Sequence, residues 1–166
     1  MNRFDVALLL LRLGFGVSMA LHGLNKVRRN GLVGTSNWFG SIGMKWPRIQ
    51  AITAATTEIA AGLLLAFGLL HWIACVAFVS LMLVAIFTVH WKVGYFIFLP
   101  GGGWEYCASI AVVATSLGLL GPGRISLDHA LSIGDSYGAW VLPAGIVLSM
   151  CHLFICFRPP SKQKGS

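Results

Sequence analysis

The chain has 166 residues, of which 57% are hydrophobic and 10% charged, and it carries a formal net charge of +7. An ordinary globular domain is about one quarter charged, so this composition excludes a water-soluble fold, and the length leaves room for one compact unit without a separate soluble domain. The basic residues fall between hydrophobic runs rather than on a continuous face, which sets nucleic acid aside as a partner and fits topology signals and contact with anionic lipid.

The first apolar stretch, Val6 to Gly23, is close to the ~20 residues that cross a bilayer. Arg3, the run behind it and Ser18-x-Ala20 have the outline of a cleaved leader. Arg12 breaks that run in its middle, so a permanent span is expected. A basic connector follows, Asn25 to Arg29, and then a Gly/Ser-rich piece, Gly31 to Met44, part of which is expected to lie on the membrane surface. Lys45-Trp46-Pro47-Arg48 reads as an interfacial anchor leading into a helix.

From Ile49 to Val89 the only charge is Glu58. One helix of that length would measure about 60 Å, twice the hydrocarbon thickness, so it must be two spans turning at Gly68 to Trp72. His90-Trp91-Lys92 closes the third span. Pro100-Gly101-Gly102-Gly103 breaks the helical pattern and lacks the Lys-Ser/Thr of a phosphate loop. Trp104 and Glu105 open a fourth span that ends at Gly121-Pro122-Gly123. Arg124 to Ser136 is a polar loop or short surface helix. Ala139 to Phe157 is a fifth span, with Pro143 as a point of bending, and the tail from Arg158 is polar and expected to be mobile.

The expected architecture is therefore all-α: a polytopic membrane bundle with a four-helix core (residues 1–130), an additional C-terminal span (131–157) and a polar tail (158–166). With five spans, Lys26, Arg28, Arg29, Lys45, Arg48, Lys92, Arg158, Lys162 and Lys164 share one side, and Arg3 and Arg124 the other. Positive charge marks the cytoplasmic side, which places the N-terminus outside and the C-terminus in the cytoplasm. The four cysteines, Cys75, Cys107, Cys151 and Cys156, have neither Cys-x-x-Cys nor zinc-like spacing and read as structural thiols.

Ionisable groups inside a membrane need a partner or a task. Counted from the cytoplasmic ends of the first two spans, Arg12 lies about 16 Å deep and Glu58 about 13 Å deep. Ala51, Ala55, Glu58 and Gly62 form a small-residue stripe that admits a neighbouring helix closely. A buried ion pair between Arg12 and Glu58 is the expectation. A second group collects at the cytoplasmic ends of the spans: His22, Lys26, His90 and Glu105. Two imidazoles, an ammonium and a carboxylate at one level suit a quinone headgroup, with donors for its carbonyl and a carboxylate to manage protons. His and Glu are also metal-ligand types, and two histidines can ligate a haem, but no spacing here enforces a metal or a haem. The same residues also serve as interfacial caps that satisfy helix ends and meet lipid headgroups. His129 and His152 have no partner at an evident spacing.

Leu11-Arg12-Leu13, His22-Gly23-x-x-Lys26, Glu58 in its small-residue helix, Val84 to His90, Gly102-Gly103-Trp104-Glu105-Tyr106 and Gly121-Pro122-Gly123-x-x-Ser126-x-Asp128 together resemble the DoxX-like family of small bacterial membrane proteins, over about residues 6 to 130. The resemblance implies a four-helix core in the bacterial inner membrane and links Arg12, His22, Lys26, Glu58, His90, Glu105 and Asp128 as one polar set. Some relatives are associated with thiosulfate oxidation coupled to quinone reduction, and others with membrane complexes of thiol or oxidative-stress defence. It implies a subunit of a redox-linked membrane assembly that binds a quinone or similar small molecule near the cytoplasmic face. An accessory subunit that anchors a larger complex is the alternative. The fifth span departs from the family pattern and offers a docking surface for other membrane subunits.

Overall fold

The computed structural model describes residues 2–134 and 136–158. Its elements are α1 (Arg3–Val27), α2 (Gly31–Ser41), α3 (Pro47–Phe67), α4 (His71–Ala85) continued by a π-helical turn (Ile86–His90), α5 (Glu105–Leu120), the one-turn α6 (Leu127–Ala130) and α7 (Val141–Cys156), which follows a 3-10 turn at Gly138–Trp140. Among the described residues, four segments are long and apolar enough to cross a membrane: Arg3–Val27, Pro47–Phe67, His71–His90 and Gly138–Cys156. At 16 residues α5 is shorter, about 24 Å against the ~30 Å of hydrocarbon. The bundle thus has four long spans and one short one.

The helix ends carry their causes locally. Asn2 caps α1 by accepting a hydrogen bond from the Asp5 N–H at 2.9 Å. Pro47 opens α3, where its missing N–H is no loss. The α3–α4 turn lies within the expected Gly68 to Trp72, with Gly68 in the left-handed region at φ +63°. Pro143 sits in the first turn of α7 rather than in its interior, where a proline breaks no α-helical hydrogen bond.

α3 packs on α1 on one side and α4 on the other, and α4 carries α5 and α7. The α1–α3 contact is backbone against backbone. A Cβ on Gly16 would stand 2.6 Å from the Gly62 carbonyl oxygen, and one on Gly62 would stand 2.6 Å from the Ala20 nitrogen. Ala51 and Ala55 are buried on the same stripe, as expected of small residues at a helix interface. α7 docks on α4 through Gly145, which faces Val79 and Ser80, and through the buried Ser149. Beyond α7 the chain is tied to the α2–α3 connection. Lys45 N–H donates to the Cys156 carbonyl at 2.7 Å, and Arg158 N–H donates to the Gly43 carbonyl at 2.9 Å. The rest of the expected mobile tail, 159–166, lies outside the described residues.

Candidate functional site

α1 and α3 run antiparallel in a register that sets Gly16 beside Gly62 and Gly23 beside Ala55. Glu58 therefore lies level with the last turns of α1, and its carboxylate Oε1 accepts a hydrogen bond and salt bridge from Lys26 Nζ. The expected Arg12–Glu58 pair does not form. That register sets Glu58 level with Ala20, and Arg12 sits eight residues further along α1, roughly 12 Å away along the axis. The depth estimate failed because the first turns of α3 overhang the end of α1 and pack on α2 instead.

Glu58 is 4% exposed, and the Lys26 side chain is 24% exposed. Among the described residues Glu58 Oε2 has no hydrogen-bond partner. The pair lines a partly open cavity of about 310 Å³ walled by α2, α3, α4 and α7. Short polar side chains line it from four elements: Gln50, Thr53 and Thr57 on α3, Ser80 on α4, Thr88 on the π-helical turn and His152 on α7. Trp38 and Phe39 of α2, ring centroids 5.2 Å apart, complete its wall. Thr88 and Val89 belong to the π-helical turn, closed by Trp91 N–H donating to the Ile86 carbonyl at 2.7 Å. Such turns are concentrated at functional sites. A half-buried ammonium, a buried carboxylate oxygen without a hydrogen-bond partner and largely apolar walls suit a small neutral molecule with a polar head.

The four residues expected to form one cluster are divided. Lys26 lines the cavity. His22, one position before Gly23, turns away from the α3-facing side and is exposed. His90 Nδ1 lies 2.6 Å from the Gly102 carbonyl, and Glu105 Oε2 accepts from the Ile97 N–H at 3.1 Å. His90 and Glu105 thereby fasten the glycine-rich loop between α4 and α5, and neither lines the cavity.

Arg12 and Asp128 make a separate polar centre at the opposite end of the bundle. Arg12, 1% exposed, donates through Nη2 to the Ile125 carbonyl, and the Asp128 carboxylate lies within electrostatic reach. Asp128 also caps α4, accepting from the N–H groups of Leu70 at 2.8 Å and His71 at 2.9 Å. It is buried, although its loop reads as surface. Gly68 is required on two counts: its positive φ, and the Arg12 guanidinium in the space a side chain would take. Asp128→Ala is expected to lower stability by about 1–2 kcal/mol through the lost cap. Thermal unfolding in detergent checks this, and an unchanged transition would contradict the capping role.

The DoxX family model matches residues 7–91. The chain belongs to the DoxX family. It is also 33% identical over 139 residues to the Bacillus subtilis (strain 168) protein named "Putative oxidoreductase CatD", covering 83% of this chain and 97% of that one. No solved structure matches the chain. The DoxX match contains Lys26, Glu58 and the cavity faces of α2, α3 and α4, whereas Leu148 and His152 come from α7, beyond it.

His152 was not singled out from sequence because it has no charged residue at helical spacing. The available signal was Gly145-x-x-x-Ser149-x-x-His152, a small and polar stripe in an otherwise apolar helix. Gln50-x-x-Thr53-x-x-x-Thr57 carries the same signal on α3.

Proposed function

We propose that this DoxX-family membrane protein is a redox-linked subunit that binds a quinone or a similar small molecule in the cavity between α2, α3, α4 and α7. The observation that supports the reading is Glu58, which lines the cavity beside Lys26 and whose buried Oε2 has no hydrogen-bond partner among the described residues. A ring carbonyl suits the Lys26 ammonium and a ring hydroxyl suits Glu58, so the pair can hold either oxidation state of the head and exchange a proton with it. The cavity falls at the small end of the range for ligand sites, about 300–1,000 Å³. The name of the B. subtilis relative agrees with a redox setting. In the orientation read from the basic residues, N-terminus outside and C-terminus in the cytoplasm of a bacterial inner membrane, the site opens near the cytoplasmic face. An accessory subunit without a ligand calls for a filled polar core, which the cavity disfavours.

Purification in a gentle detergent, followed by an optical spectrum and mass spectrometry of extracted small molecules and co-purifying chains, tests the reading. About one quinone per chain is expected, with Glu58→Gln retaining about tenfold less, as for loss of one charge-assisted hydrogen bond. His152→Ala is expected to lower retention as well, without loss of the fold. A partner chain with no extractable ligand would overturn the binding role in favour of the accessory one.

A further inference from the structure

A second cleft lies on the other side of α2, bounded by the end of α1 and the beginnings of α2 and α3, with a volume of about 560 Å³. Its wall has two chemistries. Arg48, Asn30, Asn37 and Ser36 supply donors, while Val33 and Ile52 supply an apolar side. Among the described residues no carboxylate lines it. Arg48 stands in the first turn of α3, where the helix dipole disfavours a cation, and neither α2 nor α3 has an acidic residue in its first turn. Arg28 and Arg29, both exposed, adjoin the cleft in sequence just before Asn30. Lys26 is the neighbouring cation already neutralised, by Glu58. The result is a concentration of positive charge, with amide and hydroxyl donors, beside an apolar wall at the end of a membrane bundle.

We propose that this cleft seats the phosphate headgroup of an anionic phospholipid, with an acyl chain running along Val33 and Ile52. A phosphodiester oxygen answers the Arg48 guanidinium and the side-chain donors. The apolar side favours a lipid over free phosphate, and the basic neighbours favour an anionic over a zwitterionic headgroup. The site is independent of the cavity that holds Glu58 and does not rest on the function proposed for it.

Native mass spectrometry of the delipidated full chain in neutral detergent, titrated with phosphatidylglycerol or phosphatidylcholine, tests the proposal. One tightly held phosphatidylglycerol is expected at concentrations where phosphatidylcholine leaves no adduct. Arg48→Gln is expected to weaken retention about fivefold, and Arg28→Gln, Arg29→Gln and Arg48→Gln together about a hundredfold. Arg124→Gln, at the other end of the bundle, should leave it unchanged, and melting curves confirm that each variant is folded. Equal binding of the two lipids, or wild-type retention by the triple variant, would overturn the proposal. Displacement of the lipid by millimolar inorganic phosphate would overturn it too, by assigning the cleft to a soluble anion.

Discussion

Gly62→Leu is expected to separate α1 from α3 and to cost more than about 3 kcal/mol, the upper range of overpacking penalties. The atoms that a new side chain meets are the Ala20 nitrogen and the Gly16 carbonyl oxygen, each 2.6 Å from its Cβ position. Backbone cannot rotate out of the way as a side-chain tip can. Gly14 is the internal control, because a Cβ there meets nothing within 4 Å. Gly14→Ala should be neutral or slightly stabilising, by up to about 1 kcal/mol through helix propensity. Thermal unfolding of the two variants in one detergent reads the contrast. Equal stability of both would mean that the close approach of α1 and α3 is wrong.

The second large effect is expected at the ion pair. Lys26→Met leaves the Glu58 carboxylate buried without its counter-charge. Breaking a fully buried pair costs about 3–5 kcal/mol, but water reaches the Lys26 side, so roughly 2–3 kcal/mol is expected. The double variant Lys26→Met with Glu58→Gln should recover most of that loss, because no uncompensated charge remains. Arg12→Gln with Glu58→Gln should instead be additive to within about 0.5 kcal/mol, since the two lie far apart along the bundle. Additive losses at Lys26 and Glu58, or strong coupling between Arg12 and Glu58, would each reject the observed pairing.

These contrasts locate the boundary of what could be read from sequence. The spans were legible because bilayer thickness sets a length that apolar runs must match, and the Gly68 turn because a helix from Ile49 to Val89 is too long for any bilayer. The stripe of Ala51, Ala55, Glu58 and Gly62 was legible because helical periodicity alone puts those residues on one face. What α1 offers opposite that face was not. Pairing across two helices depends on their offset along the membrane normal, and counting from apparent ends assumed an offset of zero. The small residues held a better ruler: matching Gly16, Ala20 and Gly23 to Gly62 and Ala55 brings Lys26, three residues after Gly23, to the neighbourhood of Glu58. His90 and Glu105 were placed at the ends of their spans either as part of a ligand cluster or as polar caps, and each meets backbone of the glycine-rich loop, at the Gly102 carbonyl and the Ile97 N–H, as the capping alternative expects.

The tie between the end of α7 and residues 43–45 has a consequence for the order of assembly. Ribosomes release a chain from its N-terminus onward, so α1 to α4 enter the membrane before the last wall of the cavity exists. Until α7 arrives and its end fastens to Gly43 and Lys45, the cavity lacks the wall that Leu148 and His152 supply. A nascent chain interrupted after α5 would hold the DoxX-matched helices and still lack one wall of the cavity. The α7 wall of the cavity is therefore the last to be made, and its construction is a late event in the biogenesis of this protein.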